Sequence, residues 1–166
     1  MRLLSLFLCF FLLTPVYAGE KQKSATISPW LYKKLSKVEK LIAKKDYPKA
    51  ENKLTAMLAA VDKKSYEQAA VLRSLSSVYA LKRQYKKATE VLSKAVKLGV
   101  LPESQEQKAY LNLGQLYMAI EQYSKAIQIL EPWLVNNSAS NTRIRVLLAN
   151  AYAQLKKYRN ALPFIH

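Results

Sequence analysis

A five-residue constellation recurs four times along the chain, and that recurrence limits the fold more tightly than any other feature of the sequence. Its fullest copy is Gly114, Tyr117, Tyr123, Ala126 and Leu130. Ser76, Tyr79, Tyr85, Ala88 and Leu92 keep the same spacing upstream, and Ala149, Tyr152, Tyr158, Ala161 and Ile165 keep it downstream. A weaker copy near the start reads Val38, Leu41, Tyr47, Ala50 and Leu54. The first positions of successive copies stand 38, 38 and 35 residues apart. A period in that range holds two helices and a turn, a unit that cannot bury its own apolar face and must stack on its neighbours. The expectation is an all-α chain built as a solenoid of helix pairs.

The residue types agree with such stacking. Ser76, Gly114 and Ala149 are small where two helices cross, and Ala88, Ala126 and Ala161 are small on the second helix where the first presses closest. The tyrosines are expected to fill the space between helices as core rather than as a stacking site for a ligand. Tyr110, Leu113, Gly114, Tyr117, Ala126 and Leu130 together resemble the tetratricopeptide repeat (TPR) family. The resemblance implies a right-handed superhelix of antiparallel helix pairs, in about 3.5 to 4 units. The units fall near residues 29–64, 65–101, 102–139 and 140–166, the last truncated.

Residues 1–18 are set apart from the array. Met1 and Arg2 precede an uncharged run from Leu3 to Leu13, followed by Pro15 and Val16-Tyr17-Ala18. This is the pattern of a secretory signal peptide cleaved after Ala18, and the run is shorter than the roughly 20 residues that span a bilayer. Export, to a periplasm, is the expected localisation. Cys9 lies inside the apolar run, so the mature chain has no cysteine and neither disulfide nor thiolate chemistry.

Without Arg2, 26 basic residues face 11 acidic ones. Glu20 to Lys97 holds 19 bases and 7 acids, against 7 and 4 from Leu98 to His166, so the basic half is the first half. In an exported protein such charge suits acidic proteins or anionic surfaces rather than nucleic acid. The plainer reading is a solvated lysine face that keeps the array soluble.

Local signals place the helix ends. Residues 19–28 read as a polar linker, and Ser28-Pro29 reads as an N-cap with proline at the first helical position. Leu31, Leu35, Val38 and Ile42 then form one face, and Lys33, Lys34, Lys37, Lys40 and Lys44 the other. Asp46 caps the next helix, with Pro48 in its first turn and Ala50, Leu54, Met57, Leu58 and Val61 inward. Ser65 and Gln68 have the spacing of a capping box. Gly99 suits a left-handed helix stop with Val100 as its apolar companion. Pro102 opens the third unit. Glu131-Pro132-Trp133 predicts a bend or early end of the sixth helix, because an interior proline costs about 3 kcal/mol. Asn136 to Ser140 is a loop, whose Asn136-Asn137-Ser138 matches a glycosylation acceptor without meaning in a bacterial envelope. The last helix is short, about nine residues from Tyr158 to His166. Leu162, Phe164 and Ile165 would face no following helix, so either the array continues in a longer chain or the open end binds a partner or a second copy. Pro163 and the terminal His166 carry no further signal.

No Gly-rich phosphate loop, His-Glu-x-x-His, Gly-x-Ser-x-Gly or Ser-x-x-Lys motif is present, and one histidine without cysteine removes the usual metal sites and triads. A non-enzymatic binding protein with no catalytic residue, cofactor or metal is expected. In the family it resembles, the first helices line a concave groove. Projected here, that register puts Tyr32 and Glu39 of the first unit, Arg73 and Ser77 of the second, and Lys108, Asn112, Gln115 and Met118 of the third on the inner face. Arg143, Asn150 and Gln154 continue it in the fourth. Cations among amides make a groove that seeks acceptors. Some family members clamp a peptide's terminal carboxylate with basic and asparagine side chains from three repeats. Arg73, Asn112 and Arg143 match that arrangement in type, whereas Ser77 stands where asparagine is wanted and Leu147 where a base is wanted.

The signal peptide, Ser28-Pro29-Trp30-Leu31-Tyr32-Lys33-Lys34, Tyr47-Pro48-Lys49-Ala50 and Leu101-Pro102 also resemble exported Gram-negative TPR proteins proposed as components of TonB energy-transduction systems. That resemblance implies an adaptor that binds a segment of another envelope protein. The alternatives are a scaffold of envelope secretion or polysaccharide machinery, and a basic protein that holds anionic polymer or lipid head groups.

Overall fold

The computed structural model describes residues 26–136 and 141–165. The expected leader at 1–18, most of the linker, the loop at 137–140 and His166 lie outside the described residues. What is described is all helical: α1 (Pro29–Ala43), α2 (Tyr47–Ala60), α3 (Tyr66–Leu81), α4 (Tyr85–Lys97), α5 (Glu103–Ala119), α6 (Tyr123–Asn136), α7 (Thr142–Gln154) and α8 (Tyr158–Ala161), then one 3-10 turn (Leu162–Phe164). Each helix packs chiefly on the next in sequence, and first helices also meet across units, α1 with α3 and α5 with α7. This is the contact pattern of a solenoid.

The starts of the helices follow their side-chain chemistry. Ser28 accepts a hydrogen bond from the Leu31 N–H, and its own N–H donates to Glu67 of α3 at 2.7 Å, which fastens the start of the array to the second unit. Asp46 accepts from Lys49 N–H, Asn141 from Ile144 N–H and Ser65 from Gln68 N–H. The reciprocal Gln68 bond differs from a standard capping box: its Oε1 accepts from Lys64 N–H at 2.8 Å, one residue earlier.

The turns inside the units share one device. Lys45, Arg83, Glu121 and Lys156 adopt φ near 58°, and they recur at 38, 38 and 35 residues, the same intervals as the repeat. In each turn this residue and its successor donate back to the closing helix, as Lys45 N–H to Ile42 O and Asp46 N–H to Leu41 O. These are Schellman stops built without glycine. Gly99 closes α4 at φ 63°, the left-handed stop that the sequence predicts, with its N–H donating to Val96 O at 3.1 Å.

The core runs along the stack. Leu31, Leu54, Val71 and Val78 are fully buried between the first two units, Leu113 and Ala88 in the middle, and Leu130, Ile144 and Leu148 further on. The crossing points are as tight as their small residues imply. A Cβ on Gly114 would stand 2.6 Å from Leu130 Cδ1 and 2.8 Å from Leu147 Cδ2. At the equivalent point Ser76 is buried, and its hydroxyl donates to Ala88 O across the pair at 2.9 Å.

The structure corrects several expectations. Helix α6 does not end at Pro132 but continues to Asn136. Pro132 itself is exposed, while Trp133 is buried against Tyr110 with ring centroids 5.7 Å apart, and that packing holds the last turn helical. The final helix is shorter than nine residues: the α-form stops at Ala161, and the chain tightens into a 3-10 turn around Pro163, which has no N–H to continue an α-helix. Phe164 is half-buried, stacked on Tyr152 at 5.9 Å, while lining the same end cleft as the exposed Leu162 and Ile165. Of the repeat tyrosines, Tyr152 is buried, but Tyr85 is 37% and Tyr158 64% exposed, so these two do not fill the core.

Candidate binding groove

The first helices of three units frame one concave cleft of about 560 Å³. Leu35 of α1 contributes to one side, Tyr66, Ala70, Arg73 and Ser77 of α3 form the wall, and Asn112, Gln115 and Ala119 of α5 form the other side. The spacings are helical: four, three and four residues along α3, three and four along α5, so each helix gives one stripe to the cleft. Ile27, at the end of the stretch read as linker, also lines it and packs on the first core cluster.

Arg73 is the one charged side chain among the lining residues. Its Nη1 donates to Gln105 Oε1, and Gln105 Nε2 donates to the Tyr66 hydroxyl at 2.6 Å. The chain Tyr66–Gln105–Arg73 holds the guanidinium in place without neutralising it. Burial lowers the Arg73 pKa from its ordinary value, but a guanidinium stays protonated at neutral pH. A half-buried cation with neutral neighbours is electrostatically under-satisfied, and one bond to Gln105 leaves most of its five donors for an incoming acceptor.

Of the eleven projected groove residues, Arg73, Ser77, Asn112 and Gln115 meet in this cleft. The Ser77 hydroxyl is turned back to its own helix, donating to Arg73 O at 3.2 Å. Tyr32, Glu39, Lys108, Arg143 and Gln154 are exposed and Met118 is half-buried, and none of these six lines the cleft. Asn150 lines a different cleft, at the α7–α8 end, with Arg145, Val146, Tyr158, Leu162 and Ile165. Leu147, at the position where a clamp would want a base, is packed into the crossing at Gly114.

Residue-by-residue projection missed Tyr66 and Gln105, and also Tyr85, which lines the cleft from the second helix α4. Tyr66 lies seven residues before Arg73 on the same stripe and could have been found by extending the register. Gln105 is in the first turn of α5 and reaches Arg73 only through its side-chain length. Among the described residues no group of three His, Cys, Asp or Glu could hold a metal ion, and no helix is long and apolar enough to cross a membrane.

Residues 107–131, the α5–α6 stretch with the fullest copy of the repeat, match the model of the tetratricopeptide repeat. MamA from Desulfovibrio magneticus RS-1, residues 41 to the end, superimposes with a TM-score of 0.66 at 17% identity, over 84% of this chain and 73% of that one. A protein of nearly identical TPR-like repeats from Podosopora anserina gives 0.68 at 18% identity, over 81% and 71%. The Sgt2 TPR domain from Aspergillus fumigatus gives 0.60 at 20%, over 82% and 85%. At these identities the likeness is one of fold, an all-helical TPR-like solenoid. No curated protein matches the chain in sequence.

Proposed function

We propose that this chain is a TPR adaptor that holds a segment of another protein in its concave cleft, with a carboxylate of that segment on Arg73. The observation that carries the reading is the half-buried guanidinium held by Gln105, with no carboxylate among the residues lining the cleft and with Asn112 and Gln115 lining it as well. An extended or helical segment could lie along α3 and α5, its backbone hydrogen-bonded by those amides and its anionic group on Arg73. The cleft offers positioning and charge, with no nucleophile paired to a base, which favours binding over catalysis.

The apolar run at Leu3–Leu13 and the cleavage pattern at Ala18 support export to the periplasm, and the motifs at Ser28–Lys34 and Tyr47–Ala50 support a place in a TonB energy-transduction system. The partner is then an envelope protein. Chemical crosslinking in intact envelopes, followed by capture of the chain and mass spectrometry, tests both points. The wild type should enrich one inner-membrane complex, Arg73→Ala should lose it, and Arg143→Ala, whose side chain lies outside the cleft, should keep it. Equal capture by wild type and Arg73→Ala would overturn the groove assignment. Capture that collapses with moderate salt in all three forms would favour diffuse polyanion binding instead.

A further inference from the structure

The first unit carries a second surface, separate from the concave cleft, since no residue is shared between them. Trp30, Lys34 and Lys37 lie at successive turns of α1, and Lys53, Ala56, Met57 and Ala60 form the matching stripe of α2; together they line a crevice of about 350 Å³. Trp30 is 44% exposed, so part of its indole remains open to solvent at the crevice. Lys34 Nζ stands 5.9 Å from the centre of its ring. No carboxylate lines the crevice. The carboxylates of the same helix pair are engaged elsewhere in two cases, Asp46 with Lys49 and Glu51 with Lys82. Over residues 29–64 ten lysines face four acidic residues.

We infer that this crevice seats the protein on an anionic lipid surface, with Trp30 at the headgroup level and Lys34, Lys37 and Lys53 on lipid phosphates. The combination selects this occupant. A free phosphate or a polyanion would use the lysines but gain nothing from an exposed indole above the apolar Ala56, Met57 and Ala60. A neutral apolar partner would leave three lysines without countercharge. An indole at the boundary between hydrocarbon and water, ringed by cations, meets both demands of an anionic membrane interface. The groove would then face away from or along the membrane while the first unit holds the array against it.

Trp30 supplies its own probe. Trp133 is the second tryptophan, so a Trp133→Phe form of the full chain reports Trp30 alone. The apolar Leu3–Leu13 stretch gives the full chain another route onto vesicles, which is why the readout is Trp30 fluorescence rather than sedimentation. Vesicles of phosphatidylglycerol should shift Trp30 emission to the blue and allow quenching by brominated acyl chains; phosphatidylcholine vesicles should do neither. Each lysine near an anionic surface is worth about a fivefold gain in affinity, so the Lys34→Gln, Lys37→Gln, Lys53→Gln triple variant should lose on the order of a hundredfold. If Trp133→Phe does not fold, the spectrum of the wild type minus that of Trp30→Phe isolates the same signal. An unshifted Trp30, a shift as large on phosphatidylcholine, or an equal shift on soluble polyphosphate would each overturn the assignment.

Discussion

Gly114 sits at a crossing of the solenoid with no room for a Cβ as the side chains stand. Replacing it with alanine removes a helix penalty of about 1 kcal/mol, but the new methyl would collide with Leu130, which is fully buried, and with Leu147. Overpacking a close-packed core costs about 1–3 kcal/mol. The collision wins, so Gly114→Ala should lower the thermal midpoint rather than raise it, as read by circular dichroism. Ser76 at the equivalent crossing accommodates its side chain by donating to Ala88 O, a solution that glycine or alanine could not use. These small positions were legible in the sequence because they recur. The left-handed Lys45, Arg83, Glu121 and Lys156 were not, since their side chains carry no turn preference and only the backbone reveals the shared stop.

Among the elements, α6 tests how packing overrides propensity. Its exposed Pro132 sits inside a continuous helix whose end is held by Trp133. Pro132→Ala restores a backbone donor without disturbing that packing and should stabilise the fold by about 1–2 kcal/mol, short of the full interior-proline penalty because proline also restricts the unfolded chain. A urea melt checks it, and an unchanged or lowered midpoint would contradict it. The bridge between α2 and α3 gives a pH signature. The hydrogen bond from Lys82, at 2.5 Å, holds the Glu51 carboxyl below its ordinary pKa. Its stabilisation is therefore present above the unfolded carboxylate pKa and is lost as pH falls through the depressed folded value. Glu51→Gln should cost about 1 kcal/mol at pH 7 and progressively less in acid. A constant difference across an acid urea series would mean that the charge plays no part. Helix positions, caps and buried stripes could be read ahead because each depends on neighbours in sequence; the continuation through Pro132 depends on Tyr110 and a later helix, which local pattern does not contain.

At the scale of the molecule, stacking brings residues more than a unit apart to one surface. Arg73, Ser77, Asn112 and Gln115 are put on the inner face by projecting the groove of the resembled family through the helical register, and the structure gathers these four in one cleft. Register could not show that the cleft centres on α3 and α5, leaving Arg143 outside, nor that Gln105 and Tyr66 orient the guanidinium. The central claim is that this cleft, and not the opposite face, holds the partner. Site-specific photocrosslinking tests it most directly: benzoylphenylalanine is placed at position 115 in the cleft or at position 90 on α4, outside it, and irradiated in intact envelopes. The account predicts a single protein adduct from position 115, abolished by Arg73→Ala, and none from position 90. Adducts from position 90 alone, or from position 115 with undiminished yield in Arg73→Ala, would contradict it.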